Sequence, residues 1–345
     1  MSLPDREREV LTTIIEAYIA SAAPVGSRTV SKQSLLGLSP ASIRNIMADL
    51  TESGYLAQPH TSAGRVPTAK AFRFYLDTVM RPAEVPEAER RRIADGLSMA
   101  GLEVGDMLRR ASRLLAGLSL QVAMVVVPKE SSARWKRIDF SLLNPGLVMV
   151  LLVLQGGLVR TRVIEADPEV TADDLVYYAN YLNDLFTDMT VAEARLRLVA
   201  ELEQARQSLS ALCRRALTMA RCAVEQEREP AVEVFVDGTP NILSQPEFTD
   251  AEHMRELMRV LEERTILLHL LDKTANELKT VITIGGESDQ AALAELGVIT
   301  APYGTGCVPL GAIGVIGPLR MDYAKLVPVV NCTADALTRL LDRHF

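Results

Sequence analysis

Apolar positions along the first eighty residues repeat with a period near 3.6 and then give way to two short strand-like runs around a polar turn. In DREREVLTTIIEAYIA, residues 5 to 20, Val10, Leu11, Ile14, Ile15, Tyr18 and Ile19 fall on one stripe with the charges opposite, which predicts a helix with one buried face. The breaker AAPVG follows, and Ser27 stands where an N-cap belongs, ahead of a short helix SRTVSKQSLL that Gly37 ends. A third helix begins at Ser39 and Pro40 and stops at Gly54. Its Ile43, Ile46, Met47 and Leu50 have i, i+3, i+4, i+7 spacing and face inward, so Ala41, Ser42, Arg44, Asn45 and Ala48 remain outside. Then YLAQ (55–58) and RVPT (65–68) read as two short strands around the turn HTSAG.

The rest of the chain changes pattern twice more. Residues 81–118 read as a Pro-marked linker and one or two amphipathic helices, in which Arg90, Arg91 and Arg92 form a solvated face. From 119 the runs LQVAMVVVP, WKRIDFSLL, GLVMVLLVL and GLVRTRVIEA predict strands, with a helix over 172–186. Long helices and one strand, VEVFVDGTPNIL, occupy 187–275, after which TVITIGGES and AIGVIGPLRMDYAKLVPVV return to strand character before a terminal helix. A sheet interrupted by helices predicts an α+β multidomain chain whose sheet domain is split by an insertion. The expected division is 1–80, 81–118, 119–186, 187–275 as the insertion, and 276–345.

Composition and charge refine this picture. At 345 residues the chain exceeds one ordinary core, and two or three domains are expected. Its net charge of −7 argues against a protein that coats nucleic acid, yet residues 21–76 hold six Lys and Arg against two Asp and Glu. That local +4 leaves −11 on the remainder, a distribution suited to one targeted DNA contact. The N-terminus is charged where a signal peptide needs an apolar run, and GLVMVLLVL is too short to cross a bilayer; the expectation is a cytoplasmic protein with no membrane partner.

Catalytic constellations are absent from the sequence. The segment GTGCVPLGAIGVIGP lacks the lysine of a P-loop and makes no GxGxxG, so its glycines serve turns and close strand packing. His253, His269 and His344 are scattered, HExxH is missing, and Cys213, Cys222, Cys307 and Cys332 have neither CxxC spacing nor His partners. Buried free thiols, no metal, no cofactor and no enzymatic activity are expected.

Recognition chemistry is present instead. The outward residues of the third helix are small or hydrogen-bonding and cluster in its first two turns, the part of a recognition helix that enters a major groove. Arg44 suits guanine O6 and N7, Asn45 suits adenine, and Ala41 and Ser42 allow close approach; a merely solvated helix face is the competing reading. Two helices before it and a hairpin after it complete the order of a winged helix-turn-helix. Ser27 and Arg28 at the start of the second helix, and His60, Thr61, Ser62, Arg65 and Lys70 in and behind the turn, are the candidates for phosphate contact.

The strings VGSRTVS, SIRNIMADLTESGYLAQPHTSAGRVPT and FRFYLD closely resemble the DNA-binding domain of the HrcA family of heat-inducible transcription repressors. VDGTPNILSQPEF and GVIGPLRMDY resemble its C-terminal patterns, so the resemblance covers nearly the whole chain. It implies a GAF-like domain split by an inserted dimerisation domain. It also implies a homodimer that binds double-stranded DNA at the CIRCE inverted repeat ahead of chaperone operons, is released on heat stress, and depends on the GroEL chaperonin. A metabolite-responsive repressor with a small ligand in the GAF-like domain is the alternative.

Overall fold

The computed structural model describes the chain apart from residues 1–2, 35, 61–62, 100–102, 127–133, 156–158, 208–210, 225–233, 249–250, 288–292, 306–307 and 345. Helix α1 (Asp5–Ser21) buries Val10, Leu11, Ile14 and Ile15 and half-buries Tyr18 and Ile19, as its stripe predicts. Helix α2 (Ser27–Gln33) differs from expectation at both ends. Its N-cap is Gly26, making Ser27 the first helical residue, and it stops at Ser34 instead of running to Leu36. The Ser34 hydroxyl accepts the Leu36 amide at 3.2 Å, a local bond that competes with the helical one. Helix α3 (Pro40–Glu52) starts at Ser39, whose side chain accepts from the Ser42 amide, and Gly54 follows its end at φ +75°. Strands β1 (Leu56–Ala57) and β2 (Val66–Pro67) pair antiparallel, and α4 (Ala69–Thr78) follows under a Thr68 cap.

After α5 (Glu87–Ser98) and α6 (Val104–Ser119) come β3 (Val122–Val126), β4 (Trp135–Asn144), β5 (Leu147–Leu154), β6 (Val159–Glu165) and α7 (Ala172–Phe186). Next are α8 (Val191–Gln207), α9 (Ala211–Val224), β7 (Val234–Asp237), α10 (Thr239–Leu243), α11 (Ala251–Glu262) and α12 (Arg264–Glu277). The chain closes with β8 (Val281–Ile284), β9 (Leu296–Thr305), β10 (Val308–Pro318) and α13 (Tyr323–His344).

The architecture is mixed α/β, with two main sheets where the sequence predicts one. A five-stranded antiparallel sheet has the order β7-β3-β10-β9-β8, and β4-β5-β6 form a separate three-stranded sheet. Strands 135–165, expected in the common sheet, thus lie outside it, while β7, expected inside the insertion, is an edge strand of it. Core packing shows why. One face of the large sheet, through Val125, Ile299, Ile313 and Val315, shares a core with α5, α6, α13 and the N-terminal helices. Its other face, through Val122, Met124, Val298 and Ile316, packs on α10, α11 and α12. Strands β4 to β6 bury Ile138, Val148, Val150 and Leu152 against α7, α8 and α9 in a third, independent cluster.

The glycine-rich run behaves as expected at Gly314 on β10, where a Cβ would lie 2.4 Å from the Ile299 carbonyl oxygen of β9. Cys332 is a half-buried free thiol rather than a fully buried one; Cys307 and the side chains of Cys213 and Cys222 lie outside the described residues. No helix among the described residues is long and apolar enough to cross a membrane.

Candidate nucleic-acid interface

The third helix divides as its spacing predicts. Ile43, Met47 and Leu50 are at most 4% exposed and Ile46 is half-buried, whereas Ala41, Ser42, Arg44, Asn45 and Ala48 are exposed. That inward wedge locks the helix against α1 and α2, so the outward side chains stand on a rigid support. Ser39 Oγ accepts the Ser42 amide at 3.2 Å and lies 3.1 Å from Ser42 Oγ, which fixes the first turn. No side-chain hydrogen bond or ion pair within the described residues engages Arg28, Arg44 or Asn45. The acidic residues Asp49 and Glu52 are exposed too, but occupy the C-terminal half of the helix, away from Arg44.

The described residues of PHTSAGRVPT include β2, which pairs with β1 and is anchored at its base. Arg65 and Val25 exchange both backbone bonds, each at 2.9 Å, so the hairpin is stitched to the segment immediately before α2. Gly64 makes that stitch possible: a Cβ there would sit 2.5 Å from the Val25 carbonyl oxygen and 2.6 Å from its carbon. Arg65 Nε donates to Thr51 Oγ1 at 3.1 Å, tying the hairpin to α3. Thr68 Oγ1 donates to the carbonyls of Gly54 and Tyr55 at 2.8 and 3.1 Å, closing the far side.

Lys70 belongs to this scaffold. Its Nζ donates to the Ser53 carbonyl at 2.8 Å and stands 4.5 Å over the Tyr55 ring, where a cation complements the C-terminal end of α3. His60 is exposed and its carbonyl accepts the Ala63 amide at 2.9 Å. Thr61 and Ser62 lie outside the described residues. The structure therefore brings the segment before α2, the last turn of α3 and the hairpin base together through Val25, Thr51 and Gly64. Sequence reading did not single out Val25 or Thr51; the apolar Val25 inside the breaker AAPVG is the signal that was available.

Residues 105–327 match the HrcA protein C terminal domain family. The heat-inducible transcription repressor HrcA of Nitratidesulfovibrio vulgaris (strain DSM 19637 / Miyazaki F) is 50% identical, covering 100% of this chain and 97% of its own. The chain belongs to the HrcA family. A Geobacter sulfurreducens repressor of the same name is 41% identical over 99% of this chain and 98% of its own. HrcA proteins are heat-inducible transcription repressors, so this chain is a regulator and not an enzyme. A crystal structure of a protein described only as hypothetical shares the fold over the full length of both chains, at 24% identity and a TM-score of 0.62. A transcription repressor binds DNA, and the first turns of α3 present Ala41, Ser42, Arg44 and Asn45 exposed on a rigid support.

Proposed function

We propose that this chain represses transcription by docking residues 1–80 as a winged helix-turn-helix on double-stranded DNA, with α3 in the major groove. One observation carries the reading: Ile43, Met47 and Leu50 are sealed inside while Ala41, Ser42, Arg44 and Asn45 project from a capped helix. Arg44 and Asn45 read base edges and Ala41 and Ser42 allow the approach. Ser27, Arg28, His60, Thr61 and Ser62 contact phosphates, while Arg65 adds charge from the hairpin base and Lys70 braces the end of α3 instead of meeting a phosphate.

Two such readers act as a homodimer on an inverted repeat, since a two-fold protein requires a symmetric site. The dimer forms through the unit of β4 to β6 and α7 to α9. We therefore assign the insertion to about residues 134–224 instead of 187–275, and the GAF-like domain to the five-stranded sheet and the helices on it. Strand β5 supports this. Val148, Val150 and Leu152 are buried on one side, yet Leu147, Met149, Leu151 and Val153 make its other side apolar as well. Val159 and Val163 on β6 extend that face at 55% and 57% exposure. A strand apolar on both sides calls for cover on both.

The operator is the CIRCE repeat of the family, ahead of groEL/groES and grpE/dnaK/dnaJ operons, and the GroEL chaperonin restores active repressor after heat. A sheet assembled from strands at 122, 234 and 281–318 delays closure until distant segments meet, which leaves edges open for a chaperone. Gel-shift titration with the CIRCE repeat against a half-site-scrambled control tests the reading. Tight, salt-dependent binding to the repeat alone is expected; equal binding to both overturns it.

A further inference from the structure

Helix α13 contains Pro328, which has no N–H to give to the carbonyl four residues back, that of Ala324. The Ala83 amide takes the vacated acceptor instead, donating to Ala324 O at 2.9 Å. Ala83 lies in the segment RPAEVP that joins α4 to α5, stiffened by Pro82 and Pro86. Two residues on, the buried Val85 enters the core and its carbonyl accepts Arg90 Nε at 3.1 Å.

A second tie holds α4 itself. Arg73 Nε donates to Glu287 Oε1 at 2.5 Å, and its Nη2 donates to the Ile282 carbonyl at 2.7 Å and to Glu287 Oε2. Glu287 Oε2 in turn accepts the Ile284 amide at 3.0 Å. Phe72, one residue earlier, meets the ring of Tyr323 at 6.4 Å, the first residue of α13. So α13 receives the start of α4 through Tyr323 and the end of the linker through Ala324. Because Thr68 fuses α4 to the β1–β2 hairpin and Gly54, whatever orients α4 orients α3.

We propose that Pro328 and the Arg73–Glu287 pair are positioning residues that fix the angle of residues 5–78 on the five-stranded sheet, and thereby set the half-site separation that a dimer accepts. This rests on the function proposed above. A rigid joint transmits the dimer geometry to the reading helices; a free linker permits several separations.

The test uses the full-length protein as parent, Pro328→Ala and Glu287→Gln, with hydrogen exchange of the peptide holding Ala83 and binding to inverted repeats whose half-sites are moved apart one base pair at a time. Pro328→Ala returns the Ala324 carbonyl to the helix, so exchange at Ala83 rises on the order of tenfold while the thermal midpoint does not fall. Both variants flatten the preference among spacings and keep the base preference within each half-site. Unchanged exchange at Ala83, or a spacing preference as sharp as the parent's in both variants, overturns the proposal. Absence of any inverted-repeat preference in the parent removes the functional reading and the spacing claim with it, while exchange at Ala83 still decides whether Pro328 makes the joint.

Discussion

At the scale of single residues, the proposed interface separates side chains assigned to base reading from side chains that hold the scaffold. Arg44 is exposed in the second turn of α3 on a helix whose opposite side is closed, so it can meet a base edge without rearrangement. Arg44→Ala is expected to weaken operator binding by about 1 to 3 kcal/mol and to relax preference at one base pair, as measured by titration against singly altered repeats. Gly64 is a holding residue. Adding a methyl group forces the Val25 backbone away and opens the Arg65 bridge, so Gly64→Ala should cost about 1 to 3 kcal/mol in denaturant unfolding. The outward set on α3 was legible from its spacing, because a helical stripe fixes both its faces at once. Gly64 was legible only as a turn residue, since its role depends on a backbone 39 positions away in sequence.

Among elements, the contrast is between Arg28 at the start of α2 and Lys70 at the start of α4. Both are exposed cations near the same scaffold, but Lys70 already caps the end of α3 through Ser53. Arg28→Ala should lower the slope of log affinity against log salt by about 0.9, the value of one phosphate contact, with base preference intact. Lys70→Met should leave that slope nearly unchanged and instead reduce thermal stability by about 0.3 to 1 kcal/mol. Gel shifts over a salt series and thermal melts of both variants distinguish the two roles. Helices α1 and α3 were legible because each carries a strong stripe and stop signals, whereas α4 was not among the predicted elements. Sheet membership was not: β3 and β4 to β6 all read as strands in succession, and which strands pair depends on the helices that cover them. Only the two-sided apolar character of β5, against the alternating exposure of β6, hints that these strands form a sheet with its own partner.

For the whole molecule, residues 5–78 are tied to the five-stranded sheet by a pair whose strength depends on pH. Burial pushes the Glu287 carboxyl up, but the Arg73 guanidinium, the Ile284 amide and Lys273 together outweigh it and hold the group below its ordinary value of 4.5. Arg73 is shifted up, first by its hydrogen bond to Glu287 and against the opposing effect of burial, with Asp77 adding to the rise. A carboxyl depressed in the folded state contributes stability that is complete above its ordinary value and disappears as pH falls through the lower, folded one. Both side chains are partly exposed, at 32% and 39%, so screening keeps the contribution to about 1 kcal/mol or less. The attachment of α4 to β8 should therefore be insensitive to pH near neutrality and loosen only in acid below about 4.5. Amide exchange in α4 and β8 across that range should show the loosening, and Glu287→Gln should remove the pH dependence while leaving the core of α1 and α3 protected. If α4 and β8 keep equal protection down to the acid unfolding of the whole chain, the pair adds nothing of its own, and the docking of the reader rests on Phe72 against Tyr323 and on the joint at Ala83.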